Sequence, residues 1–216
     1  MIIYWLINSF IKLTGWIAYA LYFRAKVYYE DRKVQGRRIK GKAIVISNHH
    51  AVIDFALMMY LFPFRVLRCQ VAEILYQKNI FMTFLLKILG CIKVDRYSHD
   101  FSFMEKTAKI LRRKGVVQVF PEARIPLRNE QKPLPFKVSV VSTALETDTK
   151  IIPVYNDGRR KGRCRVIIGK PVNVRDWYDE KKTEKENLAI ITDKLREKVV
   201  LLKNELQTKE EMQNRK

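Results

Sequence analysis

Short apolar runs rich in β-branched residues alternate with longer helical patterns along most of the chain, and this alternation limits the possible folds more than any other feature. The strand-like runs lie at 43–47, 67–72, 91–95, 116–120, 150–155 and 163–169. The helical patterns between and after them lie at 51–64, 79–89, 99–113, 136–147 and 184–212. Strands that alternate with helices are typical of α/β domains. The chain is therefore predicted to form a single mixed sheet flanked by helices, with 163–169 at the sheet edge.

This pattern divides the chain into an N-terminal segment at 1–42, an α/β domain at 43–180 and a C-terminal amphipathic helix at 181–216. The C-terminal segment carries apolar residues at three- and four-residue spacing, namely Leu188, Ile191, Leu195, Val199, Leu202 and Leu206. Such a stripe forms one face of a helix. We expect it to pack on the domain, although a partner chain is the alternative.

The first 23 residues are mostly apolar and about as long as the ~20 residues that cross a bilayer. Lys12 lies near the middle and would cost a spanning helix roughly 2.5–3.5 kcal/mol. A helix lying in the interface, with Trp5, Trp16 and Tyr19 at headgroup depth, avoids that cost. A cleaved signal peptide is disfavoured because no basic residue precedes the apolar run. A membrane-associated helix is predicted, and both the spanning and the interfacial mode remain open.

The charge of the chain requires an anionic partner. Lys and Arg number 42 against 22 Asp and Glu, a formal net charge of +20, and eight of these cations lie at 24–42. An apolar segment followed by clustered cations is typical of an anchor on the cytoplasmic face of a membrane. Membrane lipids are therefore the predicted partner. Nucleic acid is not the predicted partner, because binding to nucleic acid does not account for the apolar segment at 1–23. A non-catalytic basic membrane-binding module would carry the same charge.

Cysteine and histidine are too few and too dispersed for a metal centre or a disulfide framework. Cys69, Cys91 and Cys164 lie far apart, and the only histidines are His49, His50 and His99. No pair has the short spacing of a zinc or redox site. Neither a metal nor a bound cofactor is expected.

One polar cluster lies where the first domain strand meets the next helix. Residues 47–54 read SNHHAVID, and side chains at such a junction stand at the open edge of a sheet. A histidine oriented by a carboxylate is a typical general base. His50 and Asp54 are four residues apart and share a helix face. His49 and Asp54 meet only if His49 precedes the first helical turn. The residues alone leave both pairings open.

The spacing N-H-x-x-x-x-D resembles the signature of the glycerolipid acyltransferase family, and this resemblance selects His49 and Asp54. Three further segments, read GCIKVDR at 90–96, FPEAR at 120–124 and IIPVY at 151–155, are similar to the other family blocks and follow in the family order. The Phe-Lys pair at 136–137 also matches. The resemblance covers about residues 43–156.

The resemblance implies a glycerol-3-phosphate acyltransferase-like domain that transfers a fatty acyl group from acyl-CoA or acyl carrier protein to a lysophospholipid. The expected reaction converts 1-acylglycerol-3-phosphate to phosphatidic acid, with His49 as base and Asp54 as its partner. The implied substrate-binding residues are Arg96, Glu122, Arg124 and Lys137. Backbone N–H groups at the helix start are the expected oxyanion donors.

Three positions depart from the family pattern. Ala51 replaces the usual serine, Ala123 the usual glycine, and Glu73 the usual lysine of a Val-Ala-Lys run. The motif histidine and aspartate are unaltered. These differences favour an alternative in which the same chemistry acts on another lyso-lipid or another hydroxyl acceptor.

Overall fold

The computed structural model describes residues 2–77, 79–95, 101–127, 129–130, 133–159 and 164–214. The strands are β1 (Lys26–Tyr29), β2 (Ala43–Ser47), β3 (Leu67–Ala72), β4 (Ile92–Val94), β5 (Val116–Val119), β6 (Ile151–Asn156) and β7 (Arg165–Ile168). The helices are α1 (Ile2–Phe23), α2 (Asp54–Leu61), α3 (Ile74–Gln77), α4 (Ile80–Ile88), α5 (Ser102–Arg112), α6 (Ser139–Glu146) and α7 (Glu184–Asn214), with a 3-10 turn at Val174–Trp177.

The seven strands form one mixed sheet in the order β1-β7-β6-β2-β5-β3-β4. All neighbouring pairs are parallel except β6 and β7. The predicted α/β fold with a mixed sheet is confirmed. The edge position predicted for 163–169 is wrong, because β7 lies between β6 and β1. Strand β1 forms that edge. It comes from the basic segment at 24–42, and it was not predicted because its short apolar pattern is flanked by charged residues.

Side chains alternate between the two faces of the sheet, as the two-residue period of a strand requires. On β2, Ile44 and Ile46 join the cluster formed with α5, α6 and α7. Ala43 and Val45 join the opposite cluster, which includes Leu57 of α2. Helices therefore cover both faces. The strands that carry the polar cluster are buried in the centre of the sheet.

The stripe on α7 packs against the domain. Ile191, Leu195, Val199, Leu202 and Leu206 are all buried, and Leu188 packs against them. The packing predicted from the three- and four-residue spacing is therefore observed.

Helix α1 is fastened to α2 through Lys12. Its ammonium donates hydrogen bonds to the carbonyl oxygens of Phe62, Pro63 and Arg65, at 3.4, 3.1 and 2.7 Å. Burial lowers the pKa of Lys12 to about 8. The Tyr60 hydroxyl also donates to the Ile11 carbonyl at 2.9 Å. The cation that interrupts the apolar segment thus faces protein, at the carbonyl end of α2, where the helix dipole favours positive charge.

The opposite face of α1 is apolar and exposed. It carries Trp5, Leu6, Phe10, Leu13, Trp16, Ile17 and Leu21. Nevertheless, none of the helices in the described ranges combines the length and the apolar character that crossing a bilayer requires.

Candidate active site

Three parallel strands bring polar residues to one edge of the sheet. Strand β2 pairs with β5 on one side and with β6 on the other, all in the same direction. Their carboxyl ends therefore meet at a single edge, where loops carry side chains away from the core. His49 follows β2, Glu122 follows β5, and Asn156 ends β6. Residues distant in sequence thus converge on one small region.

His49 and Asp54 form the central contact of this region. His49 Nδ1 lies 3.1 Å from Asp54 Oδ2, and Asp54 is fully buried. A carboxylate at this position accepts Nδ1–H, which leaves Nε2 as the basic nitrogen. Nε2 makes no hydrogen bond within the described part of the chain. About 12% of the His49 side chain is exposed.

Asp54 is held by the turn that precedes α2. Its Oδ2 also accepts the backbone N–H groups of His50, at 2.6 Å, and Ala51, at 2.8 Å. Helix α2 consequently begins at Asp54, three residues after the predicted start at 51. His49 precedes the first helical turn, which is the condition for its contact with Asp54. Backbone N–H groups near the helix start were expected as oxyanion donors. Those of His50 and Ala51 are directed at the Asp54 carboxylate instead.

Glu122 fixes the main chain on both sides of the site. It is only 3% exposed. One oxygen accepts the N–H of His49 at 2.9 Å, and the other accepts the N–H of Leu134 at 2.9 Å. A buried carboxylate needs such donors. Glu122 therefore joins the β2 loop to the loop after β5 and positions the backbone of His49.

Phe120 supports the histidine ring from one side. The two rings stack with their centroids 4.1 Å apart and an interplanar angle of 18°. Phe120 also packs against the apolar cluster that contains Cys69, Val71 and Leu86. This contact restricts the ring to the orientation that faces Asp54.

His50 has a different environment from His49. Its Nε2 lies 2.8 Å from Asn48 Nδ2 and 3.1 Å from the Asn156 carbonyl oxygen. A Cβ at Gly158, where φ is +73°, would come within 2.8 Å of the His50 ring. The ring is thus enclosed by the β6–β7 loop.

Asn156 was not identified from the sequence, and Asn48 was included in the polar cluster at 47–54 without a role. The N–H of Asn156 donates to Asn48 Oδ1 at 2.8 Å, and Asn48 Nδ2 donates to the Asn156 carbonyl at 2.9 Å. These bonds join the ends of β2 and β6. The available signal was the position of Asn156, a polar residue at the end of a buried strand.

The other predicted site residues lie outside this cluster of contacts. Arg124 forms a bidentate ion pair with Glu130, at 2.7 and 2.6 Å. Glu130 also accepts the N–H of Leu127 at 2.6 Å. These bonds lower the pKa of Glu130 to about 2. Lys137 is exposed, and its backbone N–H donates to the Pro121 carbonyl at 2.9 Å. Arg96 lies outside the described residues.

The described cysteines do not contribute a reactive thiolate. Cys69 and Cys164 are buried, and none of the three cysteines forms a disulfide. Burial raises the pKa of Cys91 to about 12 and that of Cys69 well above its ordinary value. A neutral thiol is a poor nucleophile. Within the described ranges, no three His, Cys, Asp or Glu side chains are grouped so as to hold a metal ion.

The backbone at Ala123 is strained. Its φ is +59°, a left-handed conformation that costs an L-residue roughly 1–2 kcal/mol. The glycine that is usual in this block has no such cost. We therefore expect Ala123→Gly to raise the free energy of unfolding by about 0.5–1 kcal/mol, after subtracting the ~0.4–1 kcal/mol of extra freedom that glycine has in the unfolded chain.

Denaturant unfolding of the purified protein measures this change. The matched control is Ala189→Gly on the exposed side of α7. It makes the same chemical change in a regular helix and should lower stability by about 1 kcal/mol. A loss of stability in both variants would contradict the assignment of strain to Ala123.

Comparison with known proteins identifies the family of the chain. A sequence model of the acyltransferase family matches residues 24–156. A 1-acyl-sn-glycerol-3-phosphate acyltransferase of Limnanthes douglasii is 29% identical over 170 residues, which cover 72% of this chain and 59% of that protein. An enzyme of the same name from Mus musculus, the alpha form, is 29% identical over 144 residues, or 60% of this chain and 50% of its own.

The chain thus spans about half to three fifths of the length of these relatives. Among solved structures, it is similar to the 1-acyl-sn-glycerophosphate acyltransferase PlsC from Thermotoga maritima, with a TM-score of 0.60 and 19% identity. The similarity covers 88% of this chain and 78% of that one, and at this identity it shows a shared fold. Since the family model also matches more than half of the sequence, the chain belongs to the acyltransferase family.

Proposed function

We propose that this protein is a membrane-associated O-acyltransferase that moves a fatty acyl group from a thioester donor to the hydroxyl of a lysophospholipid. The observation that carries the proposal is the contact of His49 Nδ1 with buried Asp54, 3.1 Å apart. This contact leaves Nε2 as the basic nitrogen of a partly exposed ring at the sheet edge. The relatives named above are 1-acylglycerol-3-phosphate enzymes, so this lyso-lipid is the acceptor proposed first.

In the proposed reaction, His49 Nε2 removes the proton from the acceptor hydroxyl while its oxygen attacks the thioester carbonyl. The new C–O bond forms a tetrahedral oxyanion. Its collapse breaks the C–S bond, and the imidazolium returns the proton to the leaving thiolate. General-base catalysis of this kind contributes about 10²–10⁴-fold. Asp54 stabilises the imidazolium that forms during attack.

Direct transfer fits the residues around His49 better than a covalent intermediate. Ala51 replaces the serine usual in the motif, and the Cys69 and Cys91 thiols have raised pKa values. The donor is acyl-CoA or acyl carrier protein. The basic turn at 159–163 is one candidate contact for either donor, but 160–163 lie outside the described residues, and Arg159 is paired with Glu210 at 2.7 Å. Rates with the two donors, measured on the same lyso-lipid panel, distinguish them.

Whether the acceptor carries a terminal phosphate depends on whether Arg124 can bind one. A guanidinium binds two phosphate oxygens bidentately, and Glu130 makes the same two-oxygen contact with Arg124 here. An acceptor phosphate that binds Arg124 must displace this carboxylate. The ion pair therefore supports the alternative acceptor, a lyso-lipid or other hydroxyl compound that does not need Arg124.

We expect Arg124→Gln to raise KM for 1-acylglycerol-3-phosphate about 10–100-fold with little change in kcat, because one charge-assisted contact is worth about 1.5–3 kcal/mol. Initial rates at varied acceptor concentration measure it. Arg112→Gln is the matched control, since Arg112 forms a similar exposed pair with Glu146 on α5 and α6. Equal KM values for the two variants would favour the alternative acceptor.

Membrane association is proposed to use the exposed apolar face of α1, lying in the interface at the cytoplasmic surface. Lys12 points inward to the carbonyls after α2, so the outward face carries no charge among Trp5, Leu13 and Trp16. Burial of such side chains in lipid is worth about 1.5–3 kcal/mol each. The basic segment that follows adds attraction to anionic lipid.

We expect Leu13→Glu to weaken vesicle binding at least about tenfold, because the 79% exposed leucine would enter lipid. Flotation with lipid vesicles measures the bound fraction. Leu201→Glu is the matched control, since Leu201 is 60% exposed on α7. If both variants bound like the wild type, α1 would not be the membrane-contacting element.

A further inference from the structure

A positively charged cleft lies between α1 and the residues that follow α2. Its volume is about 380 Å³. Three cations line it, namely Lys12, Arg38 and Arg65, beside the apolar side chains of Trp5 and Phe64. No Asp or Glu lines the cleft, and none in the described ranges pairs with these three cations. Within the described ranges, therefore, no carboxylate offsets the positive charge of the cleft.

Two of the cations are held in place by the backbone. The Lys12 ammonium contacts the carbonyls at the end of α2. The Arg65 guanidinium donates to the Lys114 carbonyl at 2.7 Å and to the Ile39 carbonyl at 3.5 Å. Burial lowers the pKa of both groups, because it removes water from their charges. A nearby anion would offset that cost.

The third cation is available for binding. Arg38 is exposed, and its guanidinium forms no hydrogen bond or ion pair with any described residue. Guanidinium presents five N–H donors in a planar arrangement that matches two phosphate oxygens. Arg38 can therefore contact a phosphate inside the cleft while Lys12 and Arg65 contribute fixed charge.

We propose that this cleft binds the phosphate of an anionic phospholipid headgroup. The surroundings identify a lipid as the source, because Trp5 lines the cleft and also belongs to the exposed apolar face of α1. A tryptophan at headgroup depth is typical of membrane interfaces. The inference rests on the proposed membrane association of α1. It concerns a second site, since the seven residues of α2 that follow Asp54, about 10 Å of helix, separate Asp54 from the cleft end.

The test compares binding of the full chain to phosphatidylcholine vesicles with binding to vesicles that also contain phosphatidylglycerol. We expect Arg38→Gln to weaken binding to the anionic vesicles about tenfold or more. Lys40→Gln is the matched control, because Lys40 is exposed in the same segment but does not line the cleft. Loss of one basic residue that only adds to the general attraction for anionic lipid weakens vesicle binding by about fivefold. Equal losses in the two variants would overturn the proposal.

Calorimetry with two soluble probes identifies the source of the phosphate. Short-chain phosphatidylglycerol below its micelle concentration should bind the wild type and not Arg38→Gln, and inorganic phosphate should bind more weakly. Equal affinity for the two probes would overturn the lipid assignment. Acyl transfer in uncharged detergent micelles, measured on the same proteins, tests the proposed function separately, because Arg38 lies outside the catalytic cluster.

Discussion

Replacing His49 with alanine is expected to remove acyl transfer while leaving the fold intact. The substitution deletes the nitrogen that accepts the hydroxyl proton, and general-base catalysis contributes about 10²–10⁴-fold. His49 is partly exposed at the sheet edge, and its backbone N–H, which binds Glu122, is unchanged by the substitution. The loss should therefore appear in kcat, with a normal circular dichroism spectrum. Initial rates in mixed micelles, with a labelled acyl donor, measure it.

His50→Ala is the matched control for this prediction. It removes the neighbouring imidazole, which contacts Asn48 and the Asn156 carbonyl. The backbone N–H of residue 50 still reaches Asp54, so the His49 contact persists. We expect His50→Ala to retain most of the rate, with some loss of stability from the space under Gly158. A larger loss of rate in His50→Ala than in His49→Ala would reverse the assignment of the base.

Asp54→Asn is expected to give the second-largest effect, a loss of about 10²-fold or more in kcat with KM nearly unchanged. Asparagine has almost the same shape, and its amide oxygen can still accept the N–H groups of His50 and Ala51. It lacks the negative charge that stabilises the His49 imidazolium as the proton is transferred. The substitution therefore affects the transition state more than the bound substrate.

The same change at Asp176 controls for a general effect of losing a carboxylate. Asp176 is exposed in the 3-10 turn at Val174–Trp177 and accepts a hydrogen bond from Asn173. We expect Asp176→Asn to keep the full rate. If Asp54→Asn raised KM and left kcat intact, Asp54 would contribute to substrate binding instead of stabilising the imidazolium.

Local patterns were sufficient to predict the centre of the fold. The AIVIS run at 43–47 is continuous and β-branched, and it forms the central strand β2. The helical pattern predicted at 79–89 forms α4, which ends at Ile88, and Gly90 follows it with a φ of +69°. Strands and caps of this kind are determined by neighbouring residues, so a single sequence contains the information.

Features that depend on distant residues could not be predicted in this way. Strand β1 is recognisable only through its pairing with β7, more than a hundred residues later. From the sequence, Lys12 is an unfavourable charge in an apolar helix. In the structure its ammonium binds the carbonyls of Pro63 and Arg65, after α2. The ion pair of Arg124 with Glu130 likewise depends on how the loop after β5 folds. In each case the deciding partner comes from another part of the chain.

The choice of His49 or His50 as the partner of Asp54 could be predicted only in part from local sequence. Spacing alone allowed both, because the answer depends on where α2 begins. The Asp54 carboxylate accepts hydrogen bonds from the backbone N–H groups of His50 and Ala51, and α2 begins at Asp54. That local structure puts His49 ahead of the helix and within 3.1 Å of the carboxylate.

The most direct test of the central proposal is acyl transfer by the wild-type protein beside His49→Ala, in the same mixed micelles. Labelled acyl-CoA and acyl carrier protein are offered as donors to a panel of lyso-lipids that includes 1-acylglycerol-3-phosphate. We predict labelled diacyl product from the wild type and none above background from the variant. Equal product from both proteins, or none from a folded wild type with any donor and acceptor, would contradict the assignment of His49 as the base of an acyltransferase.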